Sequence, residues 1–148
     1  MTVAVCFSLE EGNSTFSQND FNNQWSYVLE HFHYDKIYVV GNDAENTIFA
    51  YKCFTNGTYS LVNSYNDITE NLVYITPQNS NFAGTINLKD YTHPADNVCY
   101  VFGTNNDGIL STVEGDKVYI DTHTDLPLYN WVACAVVGYD RSMKIGNS

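Results

Sequence analysis

Five short apolar runs in this chain do not alternate with polar residues: Ala4 to Phe7, Ile37 to Val40, Leu72 to Thr76, Val98 to Phe102 and Val118 to Ile120. A strand with one wet face reads apolar-polar-apolar, so continuous runs of this length predict strands covered on both faces, as in a parallel sheet flanked by helices. Two stretches offer the covers. Phe21, Trp25, Val28, Leu29 and Phe32 recur at helical spacing behind a Ser17 and Asp20 entry. From Leu128 to Tyr139, Pro127 suits a first turn, Leu128, Val132, Ala135, Val136 and Tyr139 form one stripe, and Trp131 and Cys134 add a second apolar side. A helix apolar nearly all round is covered on both sides, by the sheet and, in so small a protein, by a second subunit. The expectation is one α/β domain over residues 1–148, with a doubly wound, mostly parallel sheet; Thr47 to Val62 fits helix and strand alike and stays open. The competing reading is an acidic all-β binding or structural domain in which "NNDG" and "EGDK" are hairpin turns.

The stretch "YVFGTNNDGIL" (100–110) leaves the fourth run through two glycines five apart. A phosphate-cradling loop would follow its second glycine with Lys and Ser or Thr, whereas Gly108 precedes Ile109 and Leu110. Counted from Gly103, Asn105, Asp107, Gly108 and Glu114 fall at EF-hand positions, but the first ligand is missing and both flanks are β-prone. No metal is expected. A turn at the carboxyl end of a buried strand, with glycines that admit a ligand close to the main chain, fits best.

Charge narrows the partners. Six Lys and Arg against 17 Asp and Glu give a net charge of −11, and the six cations are scattered. Affinity for nucleic acid comes from neutralising phosphates with clustered cations, so the charge disfavours RNA as a partner, and a solvated acidic surface that keeps the protein soluble needs no partner at all. Cys6, Cys53, Cys99 and Cys134 are widely spaced in apolar settings, the pattern of buried free thiols in a reducing compartment, here the cytoplasm. The first run lacks a basic flank, so it reads as a strand and not a signal peptide, and no run is long enough to span a bilayer.

"HPADNVCYVFGTNNDGIL" (93–110) followed by "VYIDTHTDLPLYNWVACAVVGYDR" (118–141) resembles the last two signature blocks of the SpoU branch of the SPOUT RNA methyltransferases, and "NDFNNQWSYVLEHFHYDKIYVVG" (19–41) resembles the first. The resemblance implies a sheet whose C-terminal segment passes through a loop as a trefoil knot, and S-adenosylmethionine held by three loops, while the homodimer is expected from the apolar C-terminal helix. Carried onto this sequence, those loops are Thr76-Pro77, Phe102-Gly103-Thr104 with Gly108, and Tyr119-Ile120-Asp121 through Leu128.

The implied reaction is methylation of a ribose 2′-hydroxyl of RNA, and here the sequence departs from the family. The family's Arg falls on Tyr27 and the Asn before it on Phe21; its Glu falls on Asn105; the Ser and Asn of its last block fall on Pro127 and Tyr129, with Asn130 one place late. Tyr27, Asn105, Tyr129 and Asn130 are therefore the candidate catalytic residues, although a neutral phenol is a poor base near pH 7. The alternative implied by the departures is a homologue that binds the cofactor, has lost transfer, and works through protein binding.

Overall fold

A computed structural model of the chain describes residues 2–7, 27–40, 58–62, 64–76, 84–102, 114–123 and 130–146. Among these residues seven strands form one sheet: β1 (Val3–Phe7), β2 (Lys36–Val40), β3 (Thr58–Val62), β4 (Asn71–Thr76), β5 (Ile86–Asn87), β6 (Val98–Phe102) and β7 (Asp116–Tyr119). Their order is β3-β2-β1-β6-β4-β7-β5, and every pairing is parallel. This is the α/β sheet that the continuous apolar runs predict, and it excludes the all-β reading. All five residues of β6, the central strand, are buried, which is why its sequence shows no alternation.

Chain order and sheet order differ in an instructive way. The first three strands build outward from β1, and β4 then starts the other wing without touching β1. β6 later inserts between β1 and β4, and β7 between β4 and β5. The carboxyl ends of β6, β4 and β7 thereby become neighbours although their sequences lie far apart.

The sheet has two buried faces. Val5, Ile37, Val73, Val98, Tyr100, Phe102 and Val118 point to one; Ala4, Cys6, Tyr38, Tyr74, Cys99 and Val101 point to the other. The first face is covered by the C-terminal helix α1 (Asn130–Ile145) through Ala133, Cys134 and Val137. Helical residues 27–31 join it through Val28 and Leu29. That turn ends with Tyr34 N–H donating to Leu29 O and His33 N–H to Glu30 O, with His33 at a φ of 57°. This is the paired closure that a left-handed residue makes at a helix C-terminus. Phe32 then lies against Gly138 of α1, where a β-carbon would stand 2.7 Å from the ring.

Several expectations need correction. The helix expected to stop at Tyr139 runs on to Ile145, because Asp140, Arg141 and Lys144 extend its packed side with polar contacts in place of apolar ones. β3 resolves part of the open segment Thr47 to Val62 as strand, and β5 lies in what reads as a long loop. β7 starts at Asp116 and ends at Tyr119, earlier than the Val118 to Ile120 run, since its first two residues are polar. Within the single chain Tyr139 and Met143 of α1 are 60% and 68% exposed. The EF-hand flanks are strands, β6 and β7, and not helices. Cys6, Cys99 and Cys134 are buried free thiols, as expected, while Cys53 lies outside the described residues.

Candidate cofactor site

Parallel strands end together, and here the register aligns three ends that the sequence keeps apart. Thr76 of β4 pairs with Tyr119 of β7, which also pairs with Asn87 of β5; Tyr74 pairs with Val101, so β4 and β6 finish almost level at Thr76 and Phe102. The carboxyl ends of strands next to a reversal of strand order are where open α/β sheets hold ligands. Thr76, Phe102, Tyr119, Ile120 and Asp121 are thus brought to one end of the sheet.

Their side chains divide by role. The Thr76 hydroxyl is buried and donates to Val118 O at 3.4 Å, so it ties β4 to β7. Phe102 is 1% exposed and belongs to the core. What these two can offer a ligand is main chain at a strand end. Ile120 and Asp121 reach further: with Asn87, Leu88, Val136 and Tyr139 they wall a cavity of about 250 Å³, to which Lys89, His123 and Asp140 also contribute. Asp121 accepts the His123 N–H at 2.8 Å.

Tyr27 is 66% exposed, stacks on His31 at 5.5 Å with ring planes 9° apart, and is not a wall of this cavity. Asn130 opens α1. Pro77, Gly103, Thr104, Asn105, Gly108, Leu128 and Tyr129 lie outside the described residues.

One wall of the cavity is braced by a polar network that sequence reading missed. His93 is a loop residue, as expected, but it is buried in the core beside Tyr91 and Tyr100. Its Nδ1 lies 2.7 Å from the Tyr100 hydroxyl and its Nε2 2.7 Å from Asp140 Oδ2. Arg141 donates to the Tyr100 oxygen at 3.1 Å, which turns the phenolic proton toward Nδ1 and leaves Nε2 to carry the imidazole hydrogen into Asp140. Burial, outweighing the Asp140 contact, pushes the His93 pKa below its ordinary value, consistent with this neutral form. Lys144 closes the network with an ion pair to Asp140 at 2.9 Å and bonds to the carbonyls of Leu88 and Tyr91, while Arg141 holds those of Pro94 and Ala95. Residues 88–95 are therefore strapped to α1, and Leu88 and Lys89 of that strap face the cavity. The one sequence signal was the Asp140-Lys144 spacing of four; His93 and its partners stand 7 and 47 residues apart.

The walls suit an adenosine-type cofactor in chemistry: Leu88, Ile120 and Val136 are apolar, and the Asp121 and Asp140 carboxylates could accept hydroxyl or cationic groups. Among the described residues no cluster of His, Cys, Asp or Glu could hold a metal ion.

No family model matches the sequence, and no curated protein does. Solved structures do match. An AdoMet-bound rRNA methyltransferase from Sinorhizobium meliloti superposes with a TM-score of 0.67 at 10% identity, over 99% of this chain and 57% of that one. The A. aeolicus TrmH/SpoU tRNA modifying enzyme gives 0.64 at 11%, over 96% and 74%. A probable methylase family protein from Haemophilus influenzae Rd KW20 gives 0.64 at 13%, over 97% and 66%. The chain thus has the SpoU/TrmH-like fold, and it spans 57% to 66% of the length of the Sinorhizobium and Haemophilus proteins.

Proposed function

We infer that this chain binds S-adenosylmethionine at the carboxyl ends of β4, β6 and β7 and belongs functionally with the methyltransferases of its fold, the reaction being methylation of an RNA ribose 2′-hydroxyl. The observation that carries the reading is the convergence of Thr76, Phe102, Tyr119, Ile120 and Asp121 at one sheet end, beside a cavity of suitable chemistry, in a fold shared with an AdoMet-bound enzyme. Pro77, Gly103, Thr104, Gly108 and Leu128 complete the loops, and the interleaving of β6 and β7 fits the knotted path of that fold.

Bound S-adenosylmethionine supplies an electrophilic methyl group on a sulfonium. The chain's own contribution is position and proton handling. Ile120, Leu88 and Val136 exclude water along one wall, and the strap from residues 88–95 keeps that wall rigid. Tyr27, Tyr129, Asn105 and Asn130 are the groups left to orient a ribose and relay its hydroxyl proton. Val132, Val136, Tyr139 and Met143 recur at i, i+4, i+7 and i+11 on α1, and three of the four are exposed, which supports a homodimer whose second protomer would also cover the cavity at Tyr139.

A second reading, cofactor binding without transfer and action through a partner protein, is favoured by the use of the few cations. Arg141 and Lys144 are engaged by carbonyls and Asp140, and Lys36 sits 4.4 Å over the Tyr38 ring. Radiolabelled methyl transfer into total cellular RNA, with and without a lysate, separates the two. Label at ribose 2′-oxygens, expected only when the lysate supplies a basic partner or a particular RNA, supports transfer. Label in neither arm while the cofactor still binds assigns the second reading.

A further inference from the structure

Residues 88–95 lead from β5 towards β6 with Leu88 and Tyr91 set into the core face that α1 covers. Side chains of α1 tie their main chain down: Lys144 donates to Leu88 O and Tyr91 O at 2.6 and 2.9 Å, and Arg141 to Pro94 O and Ala95 O at 2.5 and 2.9 Å. His93 sits within this strap, its side chain 0% exposed and its ring edge-on to Tyr91 at 5.2 Å and to Tyr100 at 5.8 Å.

The hydrogen-bond count around the ring has room for one proton and not for two. In the neutral form both nitrogens are satisfied, Nε2–H by Asp140 and Nδ1 by the Tyr100 hydroxyl. A second proton, on Nδ1, would point at an oxygen 2.7 Å away that already accepts from Arg141 and whose own hydrogen points back at Nδ1. The neighbours offer no relief. Tyr91, from the strap itself, spends its hydroxyl on Asp116 of β7, and Tyr34, edge-on to Tyr100, donates to Cys134 O. From α1 come Asp140, Arg141 and Lys144, so a charged His93 would be the third cation around the one carboxylate it touches. A charged ring in such a place gains by reaching water.

We propose that His93 is a proton-operated latch: uptake of a second proton on Nδ1 expels its ring from between Tyr91 and Tyr100, releases residues 88–95 from α1, and opens the cavity wall formed by Leu88 and Lys89. The latch is built from this chain's own groups and does not depend on what the cavity binds. With the strap closed, burial above all holds the His93 pKa below its ordinary 6.5, a value the ring regains in water. Opening therefore takes up a proton. The strap is closed independently of pH above 6.5 and is loosened as pH falls through 6.5 toward the closed-state value.

Amide exchange of the whole protein, followed by NMR from pH 7.5 to 5 and expressed as protection factors, reads the latch at the Lys89 and Tyr91 amides, which donate to Asn87 Oδ1 and Leu88 O. Amides of β6 report global unfolding. Strap protection should lie below that of β6 throughout and stay level above pH 6.5. Below 6.5 it should fall by at most about tenfold per pH unit, the effect of one proton, until the His93 ring itself titrates. His93→Gln, which has no titrating ring, should remove the fall. Equal protection of strap and β6 at every pH, strap protection that stays level to pH 5, or a fall of the same size in His93→Gln overturns the proposal. Should His93→Gln not fold, the imidazole shifts of the wild-type protein decide: a His93 midpoint below 6.5 is expected, and one at or above it overturns the latch.

Discussion

His93 carries charge consequences out of proportion to its size. Its pKa is depressed in the folded protein, chiefly by burial, so the unfolded chain binds a proton first as pH falls. Stability from this residue is present above the ordinary imidazole value of 6.5 and is lost as pH drops through it toward the folded value. Chemical denaturation between pH 7.5 and 5 should show that loss, with a slope of at most about 1.4 kcal/mol per pH unit for the one proton involved. His93→Gln should flatten the slope while lowering stability throughout. A slope unchanged in His93→Gln would assign the acid limb to other groups. Gly115 is constrained differently: its φ is 139°, and a β-carbon would stand 2.5 Å from Leu72 O. Gly115→Ala should therefore cost on the order of 3 kcal/mol; an unchanged thermal midpoint would refute the close approach. Neither residue was legible beforehand. A polar residue in a His-Pro pair reads as loop, and what buries His93 arrives 47 residues later on α1. Val98–Phe102 was legible to the residue, because a run buried on every side needs only its own composition to be seen.

At the scale of elements, α1 shows where apolar periodicity stops being informative. The apolar run read from its sequence ends at Tyr139, yet the helix continues for six residues, and two of them, Arg141 and Lys144, strap residues 88–95. β5, two residues long, leaves no periodic trace at all. Gly138 sits where α1 crosses Phe32. Alanine would gain up to about 1 kcal/mol of helix propensity, but its β-carbon would lie 2.7 and 2.8 Å from Phe32 Cγ and Cβ, and the second of these cannot swing away. Gly138→Ala should thus be net destabilising, with Phe32→Ala recovering part of the loss in a double-mutant cycle; a stabilised Gly138→Ala would show that the two elements separate easily. The exposed stripe of α1 makes a separate claim. Sedimentation at low micromolar concentration should give a dimer, and Tyr139→Glu with Met143→Glu should give a folded monomer. A monomeric wild-type protein would remove the second subunit from the account.

For the whole molecule, the continuous strands made the layered parallel sheet readable, whereas its strand order was not, because inserting β6 and β7 between earlier strands is a property of the chain's path and leaves no mark in composition. The candidate site was legible only in part for the same reason: the strand ends at Thr76, Phe102 and Tyr119 could be named one by one, but the wall supplied by Asn87, Leu88 and Val136 exists only after folding. No helix among the described residues is long and apolar enough to cross a membrane. A net charge of −11 disfavours phosphate binding, so a negative transfer assay would not by itself speak against the proposed cofactor site. Cofactor binding is the more direct test. Calorimetric titration of S-adenosylmethionine into the purified protein should give saturable binding at one site per chain, and Val136→Trp, which fills the cavity from α1, should abolish it without lowering the thermal midpoint of the free protein by more than about 2 °C. Absence of binding up to about 1 mM cofactor, or undiminished binding in Val136→Trp, would contradict a cofactor site at this sheet end.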